Sequence, residues 1–144
     1  MDQDKVTQAL GQICWLEIPV TDVARARKFY SELLGWEILP DVMPGPDDSP
    51  IKSMHFFRKG EALNGTFLVM DETDRVRNHD ETRPLAMPVL TTFCVRDCDD
   101  SLQLVAKLGG KTLHPKTKIG GGEMGYYARF QDSEGNMMGI WSII

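Results

Sequence analysis

Three cysteines, three histidines and no excess of positive charge set the first limits on this chain of 144 residues. Cys14, Cys94 and Cys98 are odd in number and form no C-x-x-C pair, which excludes a disulfide framework and a thiolate zinc site. Cys14 and Cys94 stand in apolar runs and are expected as small buried hydrophobes. His55, His79 and His114 are widely separated, and no metal-ligand spacing connects them. Lys and Arg number 16 against 21 Asp and Glu, a net charge of -5. Phosphate binding wants a basic face, so no nucleic-acid partner is expected. No apolar run reaches membrane-spanning length, so no membrane partner is expected either. Residues 1–12 are polar and carry no secretory pattern, which makes the cytoplasm the expected location.

What is present is a repeat. The run from Val20-Thr21-Asp22 to Leu33-Leu34-Gly35 recurs without a gap from Val95-Arg96-Asp97 to Leu108-Gly109-Gly110. Val20 falls on Val95, Asp22 on Asp97, Phe29 on Leu104 and Gly35 on Gly110. Each copy reads as a strand, an Asp-started helix, a glycine stop and a second strand. A chain that repeats a half-domain pairs its halves and places its site between them. The length suits one domain with a real core.

The elements follow from periodicity. Residues 13–20 predict a strand. Val23, Ala26, Tyr30, Leu33 and Leu34 have helical spacing behind Asp22. A second strand starts at Trp36, and the four prolines within residues 40–50 predict a loop. Residues 53–58 and 66–70 predict a hairpin, and the polar stretch 73–88 a linker. The second half predicts a strand over 90–95, a helix over 99–108 and a strand over 111–113. A glycine-rich turn at 120–122 and a closing hairpin, 126–130 with 137–143, complete it. The expected fold class is α+β, a single domain over 1–144. Two βαβββ modules, about 11–72 and 89–144, make it up.

The segments I-P-V-T-D-V-A-R-A-R-K-F-Y, L-L-G-W and F-Q-D-S-E-G-N-M-M-G-I-W resemble the vicinal-oxygen-chelate superfamily of glyoxalases, bleomycin-resistance proteins and extradiol dioxygenases. The resemblance runs from about Gly11 to Ile144. It implies a curved mixed sheet around a cleft, helices on the outside, and a homodimer. Metal-using members place four ligands on the concave face. The matching positions here are Trp15, Leu90 and Gly139, with a fourth among Thr66, Phe67, Leu68, Val69 and Met70. None supplies a His or Glu, so no metal and no other cofactor is expected.

Strand alternation then lays out the expected cleft: Trp15 and Glu17, Thr92 and Cys94, Met137, Gly139 and Trp141, with Tyr127 and Arg129 from the neighbouring strand. His55 is a further candidate lining residue. Glu17 is out of place in an apolar strand unless it is paired or functional. Its candidate catalytic role is a general base; its structural alternative is an ion pair with Arg129 or exposure at the cleft mouth. Arg129 is a candidate partner for a ligand carboxylate or phosphate. The expected function is binding of a small, partly apolar organic molecule without metal. The alternative is a lyase or isomerase of the same superfamily with Glu17 as base, or a non-standard metal set.

Overall fold

The structure, a computed structural model, describes residues 2–144. Helix α1 (Gln3–Ala9) buries no residue. The first module is β1 (Leu16–Val20), α2 (Val23–Leu34), β2 (Glu37–Pro44), β3 (Ser53–Lys59) and β4 (Leu63–Val69). The second is β5 (Thr92–Cys94), α3 (Cys98–Lys107), β6 (Lys111–Lys118), β7 (Tyr126–Gln131) and β8 (Met137–Ser142). Their sheets have equivalent orders, β1-β4-β3-β2 and β5-β8-β7-β6, each with one parallel pair, β1 with β4 and β5 with β8. Two βαβββ modules are therefore present, an α+β architecture.

Both helices start as the repeat requires. The Asp22 carboxylate accepts from Arg25 N–H, and the Asp97 carboxylate from Asp99 N–H. Their ends differ. Gly35 takes the left-handed conformation at the end of α2, with φ 68°. At the end of α3 that conformation belongs to Gly109, with φ 93°, while Gly110, the repeat partner of Gly35, does not adopt it.

Prolines did not end the strands where expected. β2 runs through Pro40 to Pro44, and β6 runs through Pro115 to Lys118. Both are edge strands, and both shift register, β2 between Ile38 and Val42 and β6 around His114. An edge strand at a bulge tolerates a residue with no N–H to donate. At the other extreme, β1 and β5 are shorter than the apolar runs that predicted them.

One core lies between the sheets and the two helices, built from Ile18, Val20, Phe29, Tyr30, Trp36, Phe57 and Phe67 with Val105, Phe130 and Ile140. Trp36 stacks on Tyr30 at 4.4 Å and on Phe57 at 4.2 Å, and meets Phe93 of the second module edge-on at 5.5 Å. Each such buried aromatic contributes about 1.5–3 kcal/mol relative to exposure. The expected burial of Cys14 and Cys94 is not found: both are exposed, and the buried cysteine is Cys98. Cys94 lies on the face of β5 opposite core residue Phe93, and burial pushes the Cys98 thiol up. Among the described residues no helix is long and apolar enough to cross a membrane.

Candidate functional site

Pairing register decides which side chains share the face turned away from the helices. On the first sheet Ile18, Phe67 and His55 align as one row, and the first two are core residues. Glu17, Thr66 and Phe56 form the next row and point the other way. Trp15, just before β1, sits 6.1 Å from Phe56. On the second sheet Thr92, Gly139, Arg129 and His114 form one row of the open face. Cys94, Trp141, Tyr127 and Thr117 form another. Met137, buried, shares that face beyond Gly139.

The register corrects one expected cleft residue. His55 is on the helix-covered face. Its Nδ1 accepts from the Arg27 guanidinium of α2 at 2.6 Å, and its Nε2 donates to Ser53 Oγ at 2.8 Å. Burial, then the charge of Arg27, holds its pKa below the ordinary value. His55 is a half of a packing contact between α2 and β3, and it does not line the open face.

Trp15, Glu17, Thr92, Cys94, Tyr127, Arg129, Gly139 and Trp141 do lie on the open face, but no single cavity unites them among the described residues. Glu17 is exposed and forms no salt bridge, so the pair with Arg129 is not made. It borders a cavity of about 140 Å³ at the seam of the modules, with Pro19, Val76, Asn78 and Thr91. A larger hollow of about 470 Å³ sits between the end of α2 and the start of α3 and shares only Cys94 with the expected set. Trp141 donates its indole N–H to Met124 O at 2.8 Å, which ties the ring to the loop before β7.

The positions implied for metal were tested on their own chemistry. Trp15, Leu90 and Gly139 carry no lone pair suited to a divalent cation, and Thr66 turns its hydroxyl to the carbonyls of His55 and Phe67. The Gly139 position is also closed: a Cβ there would stand 2.6 Å from Thr92 Oγ1 and 3.1 Å from Leu90. Among the described residues no three His, Cys, Asp or Glu side chains converge to hold an ion. The residues present do not fit the superfamily's metal.

A polar cluster that the sequence reading treated as a plain turn proves central. The buried acids Asp132 and Glu134 and the buried Asn136 form the β7–β8 turn. Glu134 Oε1 accepts from the backbone N–H groups of Thr21 and Asp22, at 3.0 and 2.8 Å, and its other oxygen pairs with Arg25. Tyr30 donates to Asp132 at 2.6 Å, and Asn136 donates to Pro19 O at 3.1 Å. Burial pushes both the Asp132 carboxyl and the Tyr30 hydroxyl up. The linker closes on the same turn: buried Arg75 donates to Glu134 O, and Asn78 exchanges two hydrogen bonds with the backbone of Met137. Two acids in a turn between apolar strands were the available signal. Their partners lie more than a hundred residues away or in the linker, out of reach of local pattern.

Comparison with known proteins agrees with this geometry. A family model described as "Bleomycin resistance protein-like N-terminal" matches residues 12–45. CFP32 of Mycobacterium bovis, provisionally named a glyoxylase, is 27% identical over 129 residues, 88% of this chain. The chain spans only 44% of that relative's length. A glyoxylase-like domain-containing protein of Didymella fabae is 28% identical over 130 residues, covering 90% of this chain and 92% of the relative. Among solved structures, TnmS3, an antibiotic binding protein from Streptomyces sp. CB03234, superposes with a TM-score of 0.62 at 19% identity, over 93% of this chain and 97% of that one. A glyoxalase/bleomycin resistance protein/dioxygenase family enzyme from Burkholderia phytofirmans PsJN gives 0.63 at 14%, over 91% and 98%. At such identities the structural likeness shows the fold. In its paired βαβββ modules, in the match that spans β1 and α2, and in these relatives, the chain is similar to the glyoxalases, bleomycin-resistance proteins and dioxygenases of the vicinal-oxygen-chelate superfamily.

Proposed function

We propose that this protein binds a small, planar, partly apolar organic molecule on its open sheet face, without a divalent metal. One observation carries the reading: the positions that would ligate metal hold Trp15, Leu90 and Gly139, and the backbone at Gly139 is closed over by Thr92. Ring surfaces stand where donors are missing. Trp15 is 45% exposed beside Phe56, and Tyr127 and Trp141 are half-buried on the second sheet. Stacking on such a ring is worth about 0.5–1.5 kcal/mol beyond the area it covers. A neighbour of the same fold is an antibiotic binding protein, which supports ligand capture as a use of this scaffold.

The test is a titration of the protein with planar aromatic compounds in the presence of EDTA, followed by tryptophan fluorescence. Trp36 is buried and serves as the unresponsive reference, while Trp15 and Trp141 both stand on the open face, so the double variant Trp15→Phe/Trp141→Phe should remove most of the change. Saturable binding with EDTA present is the expected result. Binding or turnover that appears only after metal is added would overturn it. A second reading has one observation in its favour: the Glu17 carboxylate is unpaired at the mouth of the seam cavity. Turnover lost in Glu17→Gln with binding retained would establish Glu17 as the base of a lyase or isomerase.

A further inference from the structure

The row Thr92–Gly139–Arg129–His114 on the second sheet holds a cation that the protein itself does not use. The Arg129 side chain makes no hydrogen bond or salt bridge among the described residues, and its Nε is buried without a partner. Yet acids outnumber bases in this chain, 21 to 16, and most other well-placed guanidinium groups, Arg25, Arg58, Arg75, Arg77 and Arg83, are paired with one. The side chain is held in place by aromatic contacts. Its guanidinium lies 5.0 Å from the centre of the Tyr127 ring, and that ring stacks on His114 at 5.1 Å, nearly parallel at 8°. His114 is fixed in turn through Thr117 Oγ1 at 3.0 Å. A cation on a ring keeps its N–H groups free for an acceptor.

The other side of the row supplies a second donor. Gly139 separates Thr92 from Arg129, so their strands are two spacings, about 10 Å, apart, and the strand between them contributes no side chain there. The Thr92 hydroxyl leans over Gly139, within 2.6 Å of where a Cβ would be, and has no protein partner among the described residues. A guanidinium and a hydroxyl thus stand on either side of Gly139, whose backbone is covered by Thr92 and Leu90, with Tyr127 and Trp141 in the adjacent row. On the side away from Tyr127, the next side chain along β7 on this face is Gln131, which is neutral and donates to Gly135 O.

Resting on the binding function proposed above, we infer that the ligand is an aromatic oxyanion: its carboxylate or phosphate is gripped by Arg129 and Thr92, while its ring system lies toward Tyr127 and Trp141. Planar guanidinium matches either group by paired hydrogen bonds. Glu17, on the other sheet, takes no part in this grip.

The test is calorimetry of the full chain with three probes of one shape: 1-naphthoate, 1-naphthyl phosphate and the neutral 1-naphthamide. At least one anion should bind about tenfold or more tighter than the amide, and the stronger of the two tells carboxylate from phosphate. In Arg129→Gln this preference should vanish while the amide binds unchanged, and Arg129→Lys should keep part of it. Raising salt from about 50 to 500 mM should weaken the anion alone, a readout on the unaltered protein that stands even if a variant fails to fold. Equal binding of charged and neutral probes, or a variant that weakens all three alike, would overturn the oxyanion grip and leave the binding function intact. Binding of none of the three would overturn both.

Discussion

Removing the Glu134 side chain should cost this protein more than removing any exposed charge. The carboxylate is fully buried, and two of its hydrogen bonds come from the backbone at the start of α2. A hydrogen bond to a charged group contributes about 1.5–3 kcal/mol. Thr21 and Asp22 are exposed, so water can replace the lost acceptor, which places each bond at the low end. The pair with Arg25 adds little, because that side chain is 49% exposed. Together with the small void left behind, Glu134→Ala should destabilise by about 3 kcal/mol. For a chain of this length that lowers Tm by about 10 °C. Glu134→Gln keeps the shape and one acceptor oxygen and should cost about half as much. The assay is urea unfolding followed by circular dichroism, with the slope expected to stay constant while the midpoint falls. A loss below about 1 kcal/mol would refute the reasoning. So would Arg25→Ala matching the full effect, since the exposed ion pair and not the backbone contacts would then hold the modules together.

Tyr30→Phe should leave Asp132 short of a donor in a buried site and cost about 1.5–3 kcal/mol, measured by the same unfolding experiment. His55 gives a pH signature. Its folded pKa is depressed below the ordinary 6.5, so its contribution is full above 6.5 and is lost as pH falls through the folded value. Tm should therefore drop below pH 6.5, and the drop should shrink in His55→Gln, whose amide can still accept from Arg27; identical pH profiles would exclude this role. Gly139→Glu, which places a carboxylate at the position where the resemblance implies a metal ligand, should destabilise by about 1–3 kcal/mol through the clash with Thr92 and take up no metal by elemental analysis. Sedimentation should show a homodimer at micromolar concentration, covering the exposed Val42 and Met43 of edge strand β2; a clean monomer would count against it.

The repeat was legible because it is written in short-range chemistry. An Asp that caps a helix, apolar residues at helical spacing and a glycine after the last turn act within a few residues of one another, so Asp22 and Asp97 announced α2 and α3 without help. Proline was overread for the same local reason. Pro40 and Pro115 sit inside strands because those strands are at sheet edges, and edge position is a property of the whole sheet.

Side-chain direction needed the partner strands. His55 and Phe56 are adjacent in sequence, but register with Phe67 sends His55 to the helices and Phe56 to the open face, beside Trp15. The exposure of Cys14 and Cys94 and the burial of Asp132 and Glu134 follow from packing between segments remote in sequence.

The sequence by itself determined the two βαβββ modules and the absence of donors at Trp15, Leu90 and Gly139, because secondary structure and ligand identity reside in single residues and their near neighbours. Only the tertiary structure decided that Glu134 caps the opposite module, that Arg129 stands unpaired on Tyr127, and that Glu17 and Arg129 form no ion pair, because pairing depends on which distant strands come to lie side by side.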